Sequence, residues 1–251
     1  MPTTLKLKND MSNWNASKNS KIKADDDKIQ INIPKGGFAS AGGVNLKFKP
    51  EGIKPTTEWE LRLDIRVPDG FDFVKGGKIG VGANIGSGTG GKSWKTHDAS
   101  ARLMWRADGQ LVGYLYMCTN QGAYKPDNMN CPLLKNQSSS FKDAIGHKAP
   151  NAGLDVWRYI PKADRLYLQR GKWNKVVFGG RLNSAGKSDG KLWLELNGKR
   201  RAVSGIRWAD DPSKHKFTQL QMPTWFGGSN DSWAPQKNTW IKYRNVKYEF
   251  K

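Results

Sequence analysis

Hydrophobic and polar residues alternate along most of this sequence, and a period of two is typical of half-buried β-strands. The segment Trp59–Val67 is the clearest case, because every second residue is apolar and each residue between is charged. We predict a strand there. Similar alternation predicts further strands at Lys28–Ile33, Val44–Phe48, Lys78–Ala83, Ser100–Trp105, Leu111–Met117, Trp173–Phe178, Lys191–Leu196, Phe217–Met222 and Trp240–Phe250.

Turn-forming residues separate these runs. Asp108 and Gly109 lie between two predicted strands, and Asn197 and Gly198 lie between the predicted strand Lys191–Leu196 and the stretch Lys199–Ile206. Asp-Gly and Asn-Gly pairs in such places are typical of tight hairpins. Many short strands with regular turn signals predict an all-β sandwich or jelly roll, which we expect to span residues 1–251 as a single domain.

One long region breaks the pattern. Asn120–Asp155 lacks a sustained period, so we predict a long loop there, with short helical turns, beside a cleft. Cys118 and Cys131 flank part of it. A disulfide between them and a pair of free thiols are about equally compatible with the spacing. Neither cysteine has the neighbours of a zinc site, and we predict no catalytic metal and no cofactor.

Charge narrows the class of partner. Lys and Arg number 42 against 22 Asp and Glu, a formal net charge of +20. Such a field attracts polyanions, which are nucleic acids, anionic membranes or acidic polysaccharides. The sequence contains no apolar run long enough to cross a bilayer and no recognised nucleic-acid-binding motif. An acidic polysaccharide is therefore the expected partner, and we expect the chain to be a monomer.

A set of polar residues shares one face of the central strands. Ser100 and Arg102 alternate with core residues on one strand, and Tyr114 and Tyr116 do so on the next. Lys78 alternates with apolar residues on a nearby predicted strand, so it can join them on a concave surface. The plainer interpretation is a solvated sheet face, on which Tyr and Arg are common.

These residue types suit the β-elimination of a 4-linked uronate. Arg102 can neutralise the substrate carboxylate with two parallel hydrogen bonds, which makes the C5 proton more acidic. Tyr116, with Tyr114 beside it, is predicted to transfer protons at C5 and O4, because nearby cations lower a phenol's pKa. Lys78 lies near the carboxylate or is itself the base, and Ser100 positions the sugar or hydrogen-bonds a tyrosine. Bases of this kind predict a neutral to alkaline pH optimum.

The same stretches resemble polysaccharide lyase family 14, with the strongest likeness to its Chlorella-virus members. The motifs are Ser100–Arg106, Val112–Tyr116, Gly171–Asn174 and Phe226–Ala234. The resemblance implies a β-jelly roll, an alginate or glucuronan lyase activity, and functional residues at Lys78, Ser100, Arg102, Tyr114 and Tyr116. It begins near Trp59, and residues 1–25, which match nothing in the family, are expected to be peripheral or poorly ordered.

Two other functions remain open on the sequence alone. A glycoside hydrolase needs a carboxylate pair, and Glu58, Glu60 and Asp64 share one strand face, although such acids are more often solvated and ion-paired. A glycan-binding module without catalysis would also explain the charge and the 11 tryptophans. The first residues lack the apolar run of a signal peptide. We therefore expect a secreted protein whose leader was removed, or a virion-associated one, acting on an extracellular cell wall.

Overall fold

The computed structural model describes residues 3–4, 20–25, 27–48, 54–86, 98–117, 137–146, 153–209, 212–213 and 215–251. Two short α-helices, α1 (Ala39–Gly42) and α2 (Ser139–Ala144), accompany the strands in this part of the chain. The strands are β1 (Thr3–Thr4), β2 (Ile22–Ala24), β3 (Lys28–Ile33), β4 (Val44–Phe48), β5 (Glu58–Arg66), β6 (Gly76–Ile85), β7 (Ala99–Arg106), β8 (Gln110–Tyr116), β9 (Leu154–Val156), β10 (Leu166–Tyr167), β11 (Trp173–Arg181), β12 (Gly190–Leu196), β13 (Lys199–Ile206), β14 (Phe217–Phe226) and β15 (Thr239–Phe250).

The strands form two antiparallel sheets. The first sheet has the order β13-β12-β11-β5-β15-β3-β2, and β1 also pairs with β15. The second has the order β10-β8-β7-β6-β14-β4, and β9 also pairs with β8. Both predicted hairpins are confirmed, since Gly109 and the Asn197-Gly198 pair have the positive φ values that tight turns require. The prediction of an all-β sandwich is therefore confirmed, whereas the single-domain boundary remains a prediction.

The two sheets share one hydrophobic core. The apolar face of β5 is almost completely buried, and Trp59 is 0% exposed. Its indole packs edge-to-face against Phe178 of the same sheet at 5.1 Å and against Phe217 of the other at 5.6 Å. Residues of β6, β7 and β8 fill the core from the second sheet. Because each strand turns one face inward, its alternate residues form the two outer faces of the sandwich.

A β-bulge in β6 follows Lys78. Ile79 pairs with Leu103 and Ala83 with Ala101, so extra residues of β6 lie between these two pairs. Gly80 within the bulge has φ +71° and donates its N–H to the Tyr243 hydroxyl at 3.1 Å. That hydroxyl also shares a 2.8 Å hydrogen bond with Thr224. Since Tyr243 comes from the first sheet, one buried phenol ties the two sheets together beside Lys78.

We expect Tyr243→Phe to destabilise the protein by about 1–3 kcal/mol, because it leaves the buried Gly80 N–H without an acceptor. Denaturant unfolding would measure the loss. Tyr159→Phe is the matched control, since Tyr159 is 45% exposed, and we expect a change within about 0.5 kcal/mol. Equal stability of the two variants would mean that the Tyr243 hydroxyl does not hold the bulge.

Sequence periodicity located the long strands and missed the short ones. Each predicted run lies in an observed strand, with ends differing by a few residues. The two- and three-residue strands β1, β2, β9 and β10 are too short for a period to be visible. Within the irregular region Asn120–Asp155, the structure describes the short helix α2 and the first residues of β9. Cys118 and Cys131 lie outside the described residues, so their pairing stays untested.

Candidate active site

Three adjoining strands bring the five sequence-predicted residues together. On β7 and β8, Ser100 lies directly opposite Tyr116, and Arg102 lies opposite Tyr114. Lys78 of β6 lies opposite Met104 of β7, two residues beyond Arg102. Directly opposed residues of antiparallel strands project from the same side of a sheet. The five therefore share the outer face of the second sheet, and we call them the tyrosine face (Lys78, Ser100, Arg102, Tyr114 and Tyr116).

The five side chains form one contact cluster. The Lys78 amine lies 3.7 Å from the ring centre of Tyr114 and 5.4 Å from that of Tyr116. The two tyrosine rings meet edge-to-face at 5.1 Å. The Arg102 guanidinium carbon lies 4.8 Å from the Tyr116 ring centre, and its Nε donates to Ser100 Oγ at 3.2 Å. A charged group, an amine and two phenols are thus held within reach of one small molecule.

Lys78 is in an unusual environment for a lysine. It is 4% exposed, and its amine donates to the thioether of Met104 at 2.9 Å, which is a weak acceptor. Burial lowers the pKa of Lys78 well below its usual range, and the nearby Arg102 and Arg106 lower it further, against a smaller opposing effect of Asp155. The environment therefore favours the neutral amine, which is the form that can accept a proton.

The pKa of Tyr114 shifts in the opposite direction to that of Lys78. Burial raises the pKa of Tyr114, and neighbouring Tyr116 adds to the rise, while the cation of Arg106 opposes it. The expectation that cations lower a tyrosine pKa here is wrong for Tyr114, because loss of water outweighs the cation. Tyr114 therefore keeps its proton. Burial also lowers the pKa of Arg102. The ordinary pKa of a guanidinium is so high, however, that Arg102 keeps its charge.

An ion-paired group beside the tyrosine face, on the same side of the sheet, was not predicted. Asp155 of β9 lies opposite Tyr114 and forms ion pairs with Arg106 and, at 3.0 Å, with Arg158. The Arg106 guanidinium carbon is 5.4 Å from the Tyr114 ring centre. Arg106 continues the alternation of Ser100, Arg102 and Met104, which could have identified it. Asp155 lies in a region without a period, so the sequence contained no comparable signal for it.

A row of amides extends the polar face toward β14. Asn84 lies opposite Ser100, donates to Gln219 Oε1 at 3.0 Å and accepts from Gln221 Nε2. Gln221 is 1% exposed, and its Oε1 has no hydrogen-bond partner among the described residues. Amide groups both donate and accept, so this row suits the hydroxyls of a sugar bound beside the tyrosine face.

The carboxylates that could imitate a hydrolase lie elsewhere. Glu58, Glu60 and Asp64 are on β5, which belongs to the first sheet. Glu60 pairs with Arg62 at 2.6 Å and accepts from Trp193, and Asp64 accepts from Arg244. At least two of these acids therefore belong to ion pairs on the outer face of the other sheet.

In the described part of the chain, no group of three or more His, Cys, Asp or Glu residues is arranged to hold a metal ion. Nor does any helix there combine the length and hydrophobicity needed to cross a bilayer.

Comparison with known proteins identifies relatives across nearly the whole chain. The family model described as Polysaccharide lyase 14 matches residues 21–246. Exolysin of Paramecium bursaria Chlorella virus 1 is 26% identical over 227 residues, covering 86% of this chain and 33% of exolysin. The chain thus spans about a third of the length of that relative.

Solved structures agree on the fold. The alginate lyase vAL-1 from a Chlorella virus superimposes with a TM-score of 0.75 at 23% identity, with 99% of each chain covered. A mutant of the alginate lyase Aly36B, solved with an alginate tetrasaccharide, gives a TM-score of 0.73 at 20% identity and covers 100% of this chain and 93% of its own. At these identities the likeness establishes a shared β-sandwich.

Proposed function

The chain belongs to polysaccharide lyase family 14, and we propose that it cleaves 4-linked uronate polymers by β-elimination at the tyrosine face. One observation carries the proposal: a buried lysine with a lowered pKa touches a buried tyrosine with a raised pKa, next to an arginine. This combination supplies a base, an acid and a carboxylate-binding group in one cluster. The alginate bound to Aly36B supports an acidic polysaccharide as the partner.

Arg102 is assigned to the substrate carboxylate. Its planar guanidinium can donate two parallel hydrogen bonds to both oxygens, which a lysine ammonium cannot do. Pairing withdraws negative charge from the group next to C5, so the carbanion that develops there is stabilised. Ser100, which accepts from Arg102 Nε, holds the guanidinium in place.

Lys78 is assigned as the base and Tyr114 as the acid. The neutral Lys78 amine takes the C5 proton, the C4–C5 double bond forms, and the bond from C4 to the glycosidic oxygen breaks. Tyr114 donates its proton to that departing oxygen, whose own high pKa matches a weakly acidic phenol. The proton then passes from the ammonium to the phenolate through water, because the lowered pKa of Lys78 and the raised pKa of Tyr114 both favour that direction, and both groups are restored. Tyr116, in contact with Arg102 and Tyr114, orients them.

A binding module without catalysis fits these observations less well. Holding a polyanion requires charged lysines at the surface, whereas burial at Lys78 favours the neutral amine and gives up that attraction. We also propose, following the viral exolysin likeness, that the protein acts outside the cell on a cell wall, as a monomer.

Incubation with alginate, glucuronan and pectate is expected to generate ultraviolet absorbance on at least one polymer, because elimination leaves a conjugated double bond at C4–C5. Raising the salt concentration should weaken binding, since it screens the +20 charge. A neutral glucan is the control substrate and should give no signal. Equal cleavage of the neutral glucan, or a rate maximum in the acidic range, would instead support a hydrolase.

A further inference from the structure

The outer face of the first sheet carries a second concentration of cations, on the opposite side of the sandwich from the tyrosine face. Arg66 of β5 lies directly opposite Lys242 of β15, and Arg244 of β15 lies opposite Lys28 of β3. Like charges directly opposite one another destabilise a sheet. A surface shaped for solubility alone would mix the two signs. This arrangement therefore has a cost in stability that solubility does not explain.

Few acids compensate these cations. Asp64 lies among them, but its Oδ2 accepts from Arg244 Nε at 2.9 Å and from Asn245 Nδ2 at 2.8 Å. Among the described residues, neither Arg66 nor Lys242 forms an ion pair with a carboxylate, and the buried Nε of Arg66 has no hydrogen-bond acceptor. Arg66 is only partly buried, so an anion that arrives from outside can pair with the guanidinium charge that no carboxylate neutralises.

Tryptophans hold two of these cations against the sheet. The Lys242 amine lies 4.5 Å from the ring centre of Trp240, and the Arg244 guanidinium carbon lies 4.1 Å from that of Trp173. Long basic side chains normally lose rotamer freedom when they bind a ligand. Packing on an aromatic ring restricts them beforehand, so less entropy is lost on binding. We call this set the basic face (Lys28, Arg66, Lys242 and Arg244, with Trp173 and Trp240).

We propose that the basic face is a second binding site for an acidic polysaccharide, separate from the site of cleavage. Its cations occupy the consecutive strands β5, β15 and β3, and neighbouring strands lie roughly 4.8 Å apart. That spacing is about the length of one pyranose residue. A polyuronate that crosses the strands obliquely therefore passes Arg66 on β5, Lys242 or Arg244 on β15, and Lys28 on β3. The inference takes its polymer class from the proposed function, but it requires no catalytic step.

Such a site would keep the protein on its polymer between cleavage events. A chain held on the basic face raises the local concentration of neighbouring chains at the tyrosine face, which lies on the other side of the sandwich. Long or wall-bound polymers would gain from this, whereas short oligosaccharides that occupy the tyrosine face alone would not.

The test is a double charge reversal, Arg66→Glu with Lys242→Glu. The control is Lys162→Glu with Lys187→Glu, which makes the same change in net charge at exposed positions outside the strands. Both pairs are introduced into Lys78→Met protein, so that polymer is not consumed, and alginate binding is measured at physiological salt. We expect the Kd to rise about ten-fold or more for the basic-face pair and about two-fold or less for the control.

A second arm uses protein with Lys78 intact. The basic-face pair should lower the rate on long polymer while leaving kcat/KM on a trisaccharide unchanged. Lys242→Glu alone should raise the midpoint of denaturant unfolding, since it replaces a like-charge pair with an opposite-charge pair. That variant keeps the test available if the double variant fails to fold.

Three results would overturn the inference. Equal weakening by the basic-face pair and the control would mean that net charge alone attracts the polymer. Unchanged polymer affinity in the basic-face pair would mean that the cations do not bind it. Duplex DNA bound through this face as tightly as alginate would identify a nucleic-acid surface instead. The two proposals can also fail separately. If the basic-face pair weakens alginate binding as expected but the wild-type protein forms no C4–C5 double bond, this inference stands and the proposed lyase activity is wrong.

Discussion

Lys78→Met is expected to lower turnover by about 10²–10⁴-fold, the usual effect of losing a positioned acid–base group. Methionine has similar length and no proton-accepting group, so it fills the space of the buried side chain without its chemistry. The wild-type rate should increase as pH rises through the lowered pKa of Lys78, because the neutral amine is the active form. Steady-state kinetics across pH would measure both effects.

The same substitution is expected to stabilise the fold by about 1–3 kcal/mol near neutral pH, because it removes a poorly solvated amine. The sign follows from the lowered pKa of Lys78. Between that pKa and the ordinary lysine value, the unfolded chain binds a proton that the folded chain does not, so wild-type stability rises with pH. The gain from Lys78→Met should therefore be largest below the folded pKa and should vanish above the unfolded one.

Lys191→Met is the matched control, because Lys191 is an exposed strand lysine of the other sheet. It should change neither turnover nor the pH dependence of stability. Near-normal turnover of a folded Lys78→Met protein would remove Lys78 from the role of base. A loss of turnover without any gain in stability would mean that the amine is charged and well solvated in the folded state.

The sequence was sufficient for the sandwich and for the members of the tyrosine face. Alternation assigned Ser100, Arg102, Tyr114 and Tyr116 to outward positions, and the Asp108-Gly109 turn indicated which strands are neighbours. A hairpin turn also fixes register, so residues of β7 and β8 could be matched across the strands. Alternation also placed Lys78 on the same surface from a nearby strand, and the family resemblance then implied a functional role for it.

The protonation states could not be obtained in this way. The direction of a pKa shift depends on how much water each group loses on burial. The alternation of residues indicates which side of the sheet a side chain faces, but not how deeply it is buried. Tyr114 is 8% exposed, and its burial reverses the shift expected from nearby cations. Asp155 was not predicted because β9 is three residues long, which is too short for an alternating pattern to be recognised.

The basic face depends on a register that no local pattern contains. Arg66 and Lys242 are far apart in sequence and meet because β5 pairs with β15. Their charges can be read from the sequence, but their direct opposition follows only from the pairing of two distant strands. Long-range strand order is set by the packing of the whole core, which is why hairpin neighbours were predictable and this pair was not.

Tyr114→Phe is expected to reduce the rate on polymer by about 10²–10⁴-fold while leaving folding and substrate affinity nearly intact, because it removes a single hydroxyl. As the acid, Tyr114 protonates the oxygen that leaves C4. A synthetic uronate with a nitrophenyl ether at C4 needs no such proton, since nitrophenolate is a stable anion. Tyr114→Phe should therefore recover most of its rate on that substrate.

Two variants make the comparison decisive. Lys78→Met should stay slow on the nitrophenyl substrate, because removal of the C5 proton is still required whatever group leaves. Tyr116→Phe tests the earlier expectation that Tyr116 transfers the proton, and as an orienting residue it should lose similar rate factors on both substrates. If instead Tyr116→Phe is the variant that the better leaving group rescues, then Tyr116 is the acid. In that case the raised pKa of Tyr114 reflects burial in a supporting position next to Lys78.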